Sequence, residues 1–348
     1  MYTVSLPKMI EMLEAVSVKH KRAMMIWGPP GIGKSESVAG FAKRIDAAMV
    51  DIRLSQYDSV DLRGIPSPEN GVTVWNVPST LPFKTNPKFD HVKGHIILFL
   101  DELNSATPST LAVCYQLIND RRVGEHELLN NVIVVAAGNR EGDKGVTNRM
   151  PLPLANRFTH VEVALDVQAW STWAQLKGLP ALGIAYFNWR KDKLMSFDPS
   201  SPEKAFCTPR TAAWALEYLA DDTITKDVKQ AIMAGTIGDG VSAEIWGFMD
   251  TYQKITPLAE ILKDPKKAAL PEEESMRYAM SVSLSGNIDK KNVGAIHTYM
   301  TRMAPEYVLL CWQLALAREK ATEVPSKDSL YSTAEFTVFA KQYGAVVS

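Results

Sequence analysis

Hydrophobic residues in the first 165 positions follow two alternating patterns. Short apolar runs typical of buried strands recur between segments whose apolar residues fall at helical spacing. Helices are predicted at Lys34–Ile45 and at Pro108–Asn119, the second preceded by the N-cap residue Thr107. This alternation predicts an α/β domain in which helices cover both faces of a parallel sheet. Its predicted strands are Ala23–Trp27, Met49–Leu54, His95–Leu100, Val132–Ala137 and His160–Val163.

Residues 56–94 interrupt this alternation with a proline-rich segment. Within it, Glu69-Asn70-Gly71 precedes the alternating run Val72–Val77, which predicts a β-hairpin inserted into the α/β domain. The prolines of the segment are Pro66, Pro68, Pro78 and Pro82.

Strand patterns end near residue 166, and helical periodicity continues to the end of the chain. We therefore expect an α/β domain over 1–165, an all-helical region over 166–255 and a helical extension over 256–348. Most tryptophans lie at helical spacing and are expected in the core, with Trp75 of the hairpin as the exception. The expected core tryptophans are Trp170, Trp173, Trp214 and Trp312.

Composition excludes several classes of protein. The 38 Lys and Arg residues against 39 Asp and Glu give a net charge of -1, so no positive field favours nucleic acid or an anionic membrane. Apolar runs fall short of the roughly 20 residues that span a bilayer, and no basic segment followed by an apolar stretch begins the chain. These features predict a cytoplasmic protein. Cys114, Cys207 and Cys311 lack metal-site spacing and are expected to be small buried hydrophobes.

The segment Gly28–Ser35, here called the glycine loop, fits the pattern G-x-x-x-x-G-K-[ST]. It lies between a predicted strand and a predicted helix, where backbone N–H groups and the helix N-terminus favour phosphate. Lys34 is expected to reach the β and γ phosphates of ATP, and Ser35 to bind Mg²⁺. A structural glycine turn with an incidental lysine is the alternative interpretation. The predicted nucleotide-binding residues are Gly28, Pro30, Gly31, Ile32, Gly33, Lys34, Ser35 and Glu36.

Two carboxylates, Asp101 and Glu102, follow the apolar run Ile96–Leu100. Ligands of open parallel sheets bind at the carboxyl ends of strands, where both residues are expected. Asp101 is predicted to bind Mg²⁺ together with Ser35, while Glu102 activates the attacking water. An isolated Asp-Glu pair would more simply be two solvated carboxylates, but its position after a strand and after the glycine loop favours the catalytic interpretation.

Asn139 follows the next apolar run and is expected at the same sheet edge, where its amide could hold the water near the γ phosphate. Arg149 and Arg157 precede the last predicted strand, and either guanidinium could stabilise phosphate charge in a neighbouring subunit. A surface ion pair is the alternative for each arginine, and the better interpretation for one of them.

Several segments, in this order, resemble the MoxR-type AAA+ ATPases, including the NorQ and CbbQ group and bacteriophage-encoded relatives. The resemblance extends over residues 1–255, and Asp61–Gly64 with the hairpin resembles an insertion that marks this wider group. Two features differ from this group. Ser105 stands where many relatives have an arginine, and residues 256–348 extend beyond the usual length of the lid. The segments that carry the resemblance are Gly28–Ser35, Asp101–Asn104 with Ala106, Ala137–Asn139, Leu152–Phe158 and Thr208–Arg210.

The resemblance implies a P-loop AAA+ sheet followed by an all-helical lid and the helical extension. It implies that Asn139 is sensor one, Arg157 the arginine finger and Arg210 sensor two, with Arg149 an auxiliary interface residue. The implied activity is Mg-ATP hydrolysis by a ring, most simply a hexamer, that remodels a protein client or a partner with a von Willebrand factor A domain. A DNA-linked ATPase and a non-motor ATP switch remain alternatives, although residues 65–83 contain no Lys or Arg.

Overall fold

The computed structural model describes residues 2–143, 148, 150–252, 256–322 and 324–347. Within these residues the chain forms two compact units, Met1–Leu165 and Asp166–Ser348. The strands of the first unit are β1 (Thr3–Val4), β2 (Ala23–Trp27), β3 (Ala48–Arg53), β4 (Ile65–Glu69), β5 (Val72–Asn76), β6 (Ile96–Asp101), β7 (Arg122–Val123), β8 (His126–Glu127), β9 (Val132–Gly138) and β10 (Phe158–Val163).

A parallel sheet organises the first unit. Its strands lie in the order β1-β10-β2-β9-β6-β3, and each neighbouring pair is parallel. Strand β2 therefore lies inside the sheet, with β10 on one side and β9 on the other. The apolar residues of β6, Ile96–Leu100, are fully buried, as expected for a strand covered on both faces.

Helices flank this sheet and confirm the predicted fold class. They are α1 (Leu6–Leu13), which continues as a π-helix over Glu14–Lys19, α2 (Lys34–Arg44), α3 (Ser59–Arg63), α4 (Pro108–Asn119) and α5 (Leu152–Ala155). Helix α2 packs against β3 and β6, while α1 packs against α2 and β10. Apolar residues of α4 join the core of β6 and β9. The described part of the first unit thus has the P-loop AAA+ architecture.

The inserted hairpin consists of antiparallel β4 and β5, separate from the main sheet. Its turn residues Asn70 and Gly71 have φ angles of 50° and 82°, the conformation that a tight two-residue hairpin turn requires. Strands β7 and β8 form a second hairpin that the sequence patterns did not reveal. The backbone N–H of Trp75 donates to Glu125 Oε1 at 3.1 Å and so connects the two hairpins.

The described residues of the second unit form helices. Helix α12 packs against α7 and α14, and α14 packs against α6, so segments from both sides of residue 255 contribute to this unit. The division into a lid and an extension stays a prediction, since residues 253–255 lie outside the described ranges. The helices are α6 (Val167–Leu176), α7 (Ala181–Trp189), α8 (Pro209–Ala220), α9 (Lys226–Ile237), α10 (Asp239–Tyr252), α11 (Leu258–Lys263), α12 (Glu274–Asn287), α13 (Val293–Met300), α14 (Pro305–Ala321) and α15 (Ala334–Val347).

Trp214 corrects one expectation about the core. Trp170 and Trp312 are buried as predicted and Trp173 is half-buried, but the side chain of Trp214 is 46% exposed. Helix α8 buries the face that carries Ala212, Ala215 and Leu216, and position 214 falls on the opposite face.

The three cysteines are buried and unpaired, as the sequence indicated. No helix within the described ranges combines the length and the apolar character that crossing a membrane requires.

Gly64 should be essential to the inserted hairpin. Its φ of 92° and ψ of 178° lie in a region accessible almost only to glycine, and an added Cβ would lie 2.0 Å from the Asn76 carbonyl oxygen. We expect Gly64→Ala to accelerate hydrogen exchange of the β4 and β5 amides strongly. Gly71→Ala is the matched control, because it has a positive φ but open space around the added atom. It should cost only about 1–2 kcal/mol of local stability. Equal exchange in the two variants would contradict the role of the close approach.

Candidate functional site

The glycine loop connects the end of β2 to the start of α2. Gly31 and Gly33 have φ angles of 74° and 102°, which side chains rarely adopt. A Cβ on Gly28 would approach the Val163 carbonyl oxygen to 3.2 Å, so the loop also passes close to β10. The first N–H groups of α2 have no partners inside the helix and carry partial positive charge. The loop therefore presents a compact backbone cradle suited to an anion.

Lys34, the first residue of α2, is 8% exposed and directs its ammonium group back into the loop. Its Nζ donates to the carbonyl oxygens of Gly28 at 2.7 Å and Pro29 at 3.1 Å. A third bond at 3.1 Å reaches Oδ1 of Asn139, beyond the end of the adjacent strand β9. Lys34 thus joins the glycine loop to the neighbouring strand end.

Ser35 and Asp101 meet at the same edge of the sheet. The Ser35 Oγ donates to Asp101 Oδ2 at 2.8 Å. A hydroxyl and a carboxylate are the hard oxygen ligands that Mg²⁺ prefers, and this ion commonly takes its remaining ligands from water and phosphate. The pair therefore fits the predicted metal site, and these two residues would hold the ion.

Glu102 has a strained backbone and a hydrogen-bonded side chain. Its φ of 54° is left-handed, which is uncommon outside glycine and is often found at functional sites. Its N–H donates to Asp101 Oδ1 at 2.9 Å. Its carboxylate accepts a hydrogen bond from the Ser55 hydroxyl, just beyond β3. Sequence reasoning missed Ser55, although the pairing of Arg53 with Asp101 brings the two strand ends together.

Asn104 holds the backbone of Asn139 in place through a hydrogen bond. The Asn104 side chain is almost fully buried, and its Nδ2 donates to the Asn139 carbonyl oxygen at 2.8 Å. A Cβ on Gly138 would lie 2.5 Å from Asn104 Oδ1, so only glycine lets the two segments approach. The sequence motif contains Asn104, but its positioning role became visible only in three dimensions.

A third carboxylate modifies the electrostatics of the edge. Desolvation and, to a smaller extent, the nearby Asp101 charge raise the pKa of Asp51, while Arg53 lowers it. Asp51 lies on β3, which pairs in parallel with β6. The negative charges of Asp51 and Asp101 repel each other, so a cation bound at Asp101 would relieve part of this repulsion.

The remaining predicted site residues lie in different surroundings. Arg157 is exposed between α5 and β10, and its Nη2 donates to Tyr115 Oη at 3.3 Å. Arg210 is exposed in the first turn of α8, in the second unit. Arg149 lies outside the described residues. Within the loop and α2, Ile32 is buried, Pro30 is half-buried and Glu36 is exposed.

The family comparison concerns this part of the chain, whereas the structural comparisons cover more of it. A family model described as "AAA domain (dynein-related subfamily)" matches residues 23–158. No curated protein matches the chain. Among solved structures, the RuvB Holliday junction branch migration motor of Thermotoga maritima is 15% identical, with a TM-score of 0.39 and 75% of each chain covered. NtrX of Brucella abortus in complex with ATP is 16% identical, with a TM-score of 0.40, covering 92% of this chain and 67% of that chain.

The matched segment contains the glycine loop, the carboxylates at the end of β6 and Asn139. Residues 23–158 therefore match a model of an AAA domain, and their sheet has the parallel strand order of a P-loop fold.

Proposed function

We propose that this protein is a Mg-ATP-hydrolysing AAA+ ATPase of MoxR type that works as a ring, most simply a hexamer. The observation that carries the proposal is the convergence of Lys34, Ser35, Asp101 and Asn139 at one sheet edge. The Lys34–Asn139 and Ser35–Asp101 bonds measure 3.1 Å and 2.8 Å. A cation, a metal-binding pair and a polar amide beside an anion cradle are the groups that phosphoryl transfer to water requires.

Each residue has a defined part in this reaction. On ATP binding, Lys34 exchanges its backbone carbonyl partners for phosphate oxygens, which bear more negative charge. When bound, Mg²⁺ neutralises charge on the β and γ phosphates. Asn139 orients the water that attacks the γ phosphorus, and Glu102 accepts a proton from that water as the bond to ADP breaks. Arg157 of a neighbouring subunit stabilises the charge that develops.

The surface composition of the inserted hairpin favours a protein partner and not a nucleic acid. Ile65 and Val72 are 65% and 63% exposed, and residues 65–83 carry no basic side chain. Nucleic acid binding depends on Lys and Arg contacts to phosphate, which this hairpin cannot supply. Exposed apolar side chains beside Glu69 suit a protein surface. We propose that ATP-driven movement of this hairpin remodels or activates a client, with a von Willebrand factor A-domain protein as the implied partner class.

Arg210 and Arg149 have subordinate parts in the proposal. Arg210 would sense the γ phosphate from the helical region, and Arg149 would support the contact between subunits. A DNA-linked ATPase would require a basic surface elsewhere. A non-motor switch would bind ATP without steady turnover.

Loss of the Lys34 ammonium should abolish tight ATP binding. Removing one partner of a desolvated charge pair costs about 2–5 kcal/mol, so Lys34→Ala should weaken Mg-ATP affinity by at least about 30-fold. Isothermal titration calorimetry measures the effect. Lys43→Ala is the control, because Lys43 lies on the exposed face of the same helix. Equal affinity in both variants would remove the glycine loop from the proposed site.

The carboxylate of Glu102 should matter for turnover and little for binding. Glu102→Gln keeps the shape of the side chain and loses the basic oxygen, so ATP should bind normally while steady-state hydrolysis falls by about 100-fold or more. Phosphate release and calorimetry on the same preparation separate the two effects. Full hydrolysis would assign the base to another residue, and a wild-type protein with no turnover would favour the switch.

A shared active site predicts complementation between defective subunits. Arg157→Ala should leave ATP binding nearly intact and lower turnover by about 10³-fold. Mixing it with Glu102→Gln protein should restore activity, since some interfaces then pair an intact Glu102 with an intact Arg157. Arg44→Ala, an exposed arginine on α2, is the control and should retain wild-type turnover. Unchanged turnover in Arg157→Ala, with no dependence on protein concentration, would exclude the ring mechanism.

A further inference from the structure

A chain of hydrogen bonds connects the strand before the glycine loop to the turn before Arg157. The Trp27 Nε1 donates to His160 Nδ1 at 2.9 Å, and His160 Nε2 lies 2.7 Å from the Ala155 carbonyl oxygen. An indole nitrogen can only donate, so Nδ1 must accept. The proton of the neutral imidazole therefore resides on Nε2, which donates to Ala155.

The packing around His160 fixes the orientation of its ring. The planes of the Trp27 and His160 rings are 13° from parallel and their centroids are 6.0 Å apart, so the rings lie side by side around the Nε1–Nδ1 hydrogen bond. Phe158 contacts the same imidazole edge-on at 6.0 Å. His160 pairs with Met25 in the parallel register of β10 and β2, so Trp27 is its diagonal neighbour across the strands. Both nitrogens of His160 are thereby engaged, and Phe158 packs against its ring.

The hydrogen bond from His160 to Ala155 stabilises the end of the short helix α5. Helix α5 has four residues, too few to be stable alone, and its last carbonyls lack partners within the helix. His160 satisfies one of them. Arg157 follows two residues later, and its guanidinium contacts Tyr115 through a hydrogen bond and over the ring at 5.7 Å. The position of the arginine backbone therefore depends on this turn.

We propose that His160 is a positioning residue that ties α5 and Arg157 to the strand carrying the glycine loop. This inference rests on the proposed function, in which Arg157 acts on a neighbouring subunit. Trp27 immediately precedes Gly28, so one imidazole links a subunit's own nucleotide loop to the arginine that it donates. The positions of the glycine loop and of the donated arginine are then both fixed relative to His160 within one subunit.

The test uses His160→Phe, which keeps an aromatic ring and removes both hydrogen bonds. A misplaced reacting group can cost up to about 100-fold, so turnover should fall about 10- to 100-fold while ATP affinity changes little. Trp27→Phe is the milder variant, removing one neutral hydrogen bond and lowering turnover about 3- to 10-fold. His91→Phe, at an exposed histidine, is the control and should retain wild-type turnover.

Mixing experiments show whether the loss of His160 impairs the donated Arg157 or the subunit's own glycine loop. If His160 acts on the donated Arg157, then His160→Phe mixed with Glu102→Gln should regain activity, and His160→Phe mixed with Arg157→Ala should not. If the substitution instead damages its own glycine loop, the second mixture regains activity and the first does not, which would overturn the proposal. Wild-type turnover in His160→Phe would overturn it as well.

Failure of the proposed function gives a different result. In that case Arg157→Ala itself retains full turnover, whatever His160→Phe does. If Arg157→Ala loses turnover and both His160→Phe and Trp27→Phe retain it, only the positioning role is wrong. Trp27→Phe also covers the case in which His160→Phe does not fold, because its activity loss must then follow the same complementation pattern.

Discussion

The site depends on the hydrogen bonds made by the buried Lys34 ammonium group. Removing such a charge from water costs several kcal/mol unless other groups compensate for its lost hydration. Here oxygens from the glycine loop and from Asn139 do so, within 2.7–3.1 Å. This arrangement exists only because β2 and β9 are adjacent and parallel, which brings the loop and Asn139 to one edge. Sheet order thus determines the local geometry around the buried charge, and in the proposed function phosphate oxygens would replace the carbonyl partners of Lys34.

The surrounding residues maintain this geometry at a cost. Glu102 holds a left-handed backbone, and Gly138 gives up a side chain so that Asn104 can reach the Asn139 carbonyl. The left-handed backbone of Glu102 persists only when the rest of the structure determines it, and the fully buried residues Ile96–Leu100 of β6 provide that constraint. Asn104 donates to the Asn139 backbone carbonyl and Ser55 to the Glu102 carboxylate, which restrains the Asn139 backbone and the Glu102 side chain.

Local patterns predicted the main strands of the sheet and the glycine loop, because apolar runs and glycine–lysine spacing depend on neighbouring residues alone. Strand β1 was missed since two residues carry no periodicity. Helix α7 is buried on nearly all sides and shows no polar stripe, so periodicity does not define its bounds within the predicted helical region. The contact of Ser55 with Glu102 and that of Trp27 with His160 join residues 47 and 133 positions apart. Such contacts depend on strand register, which sequence patterns do not contain.

Strand β2 has different neighbours on its two sides, and this asymmetry organises the proposed mechanism. On the β9 side, the glycine loop and the start of α2 meet Asn139 and Asp101 at the proposed nucleotide site, through the Lys34–Asn139 and Ser35–Asp101 hydrogen bonds. On the β10 side, Trp27 meets His160, whose strand begins directly after Arg157. Since β2 is held in register with both neighbours, the loop cannot shift along the strand without straining both. In the proposed ring, this strand would therefore join the chemistry of a subunit's own site to the arginine that it presents to the next subunit.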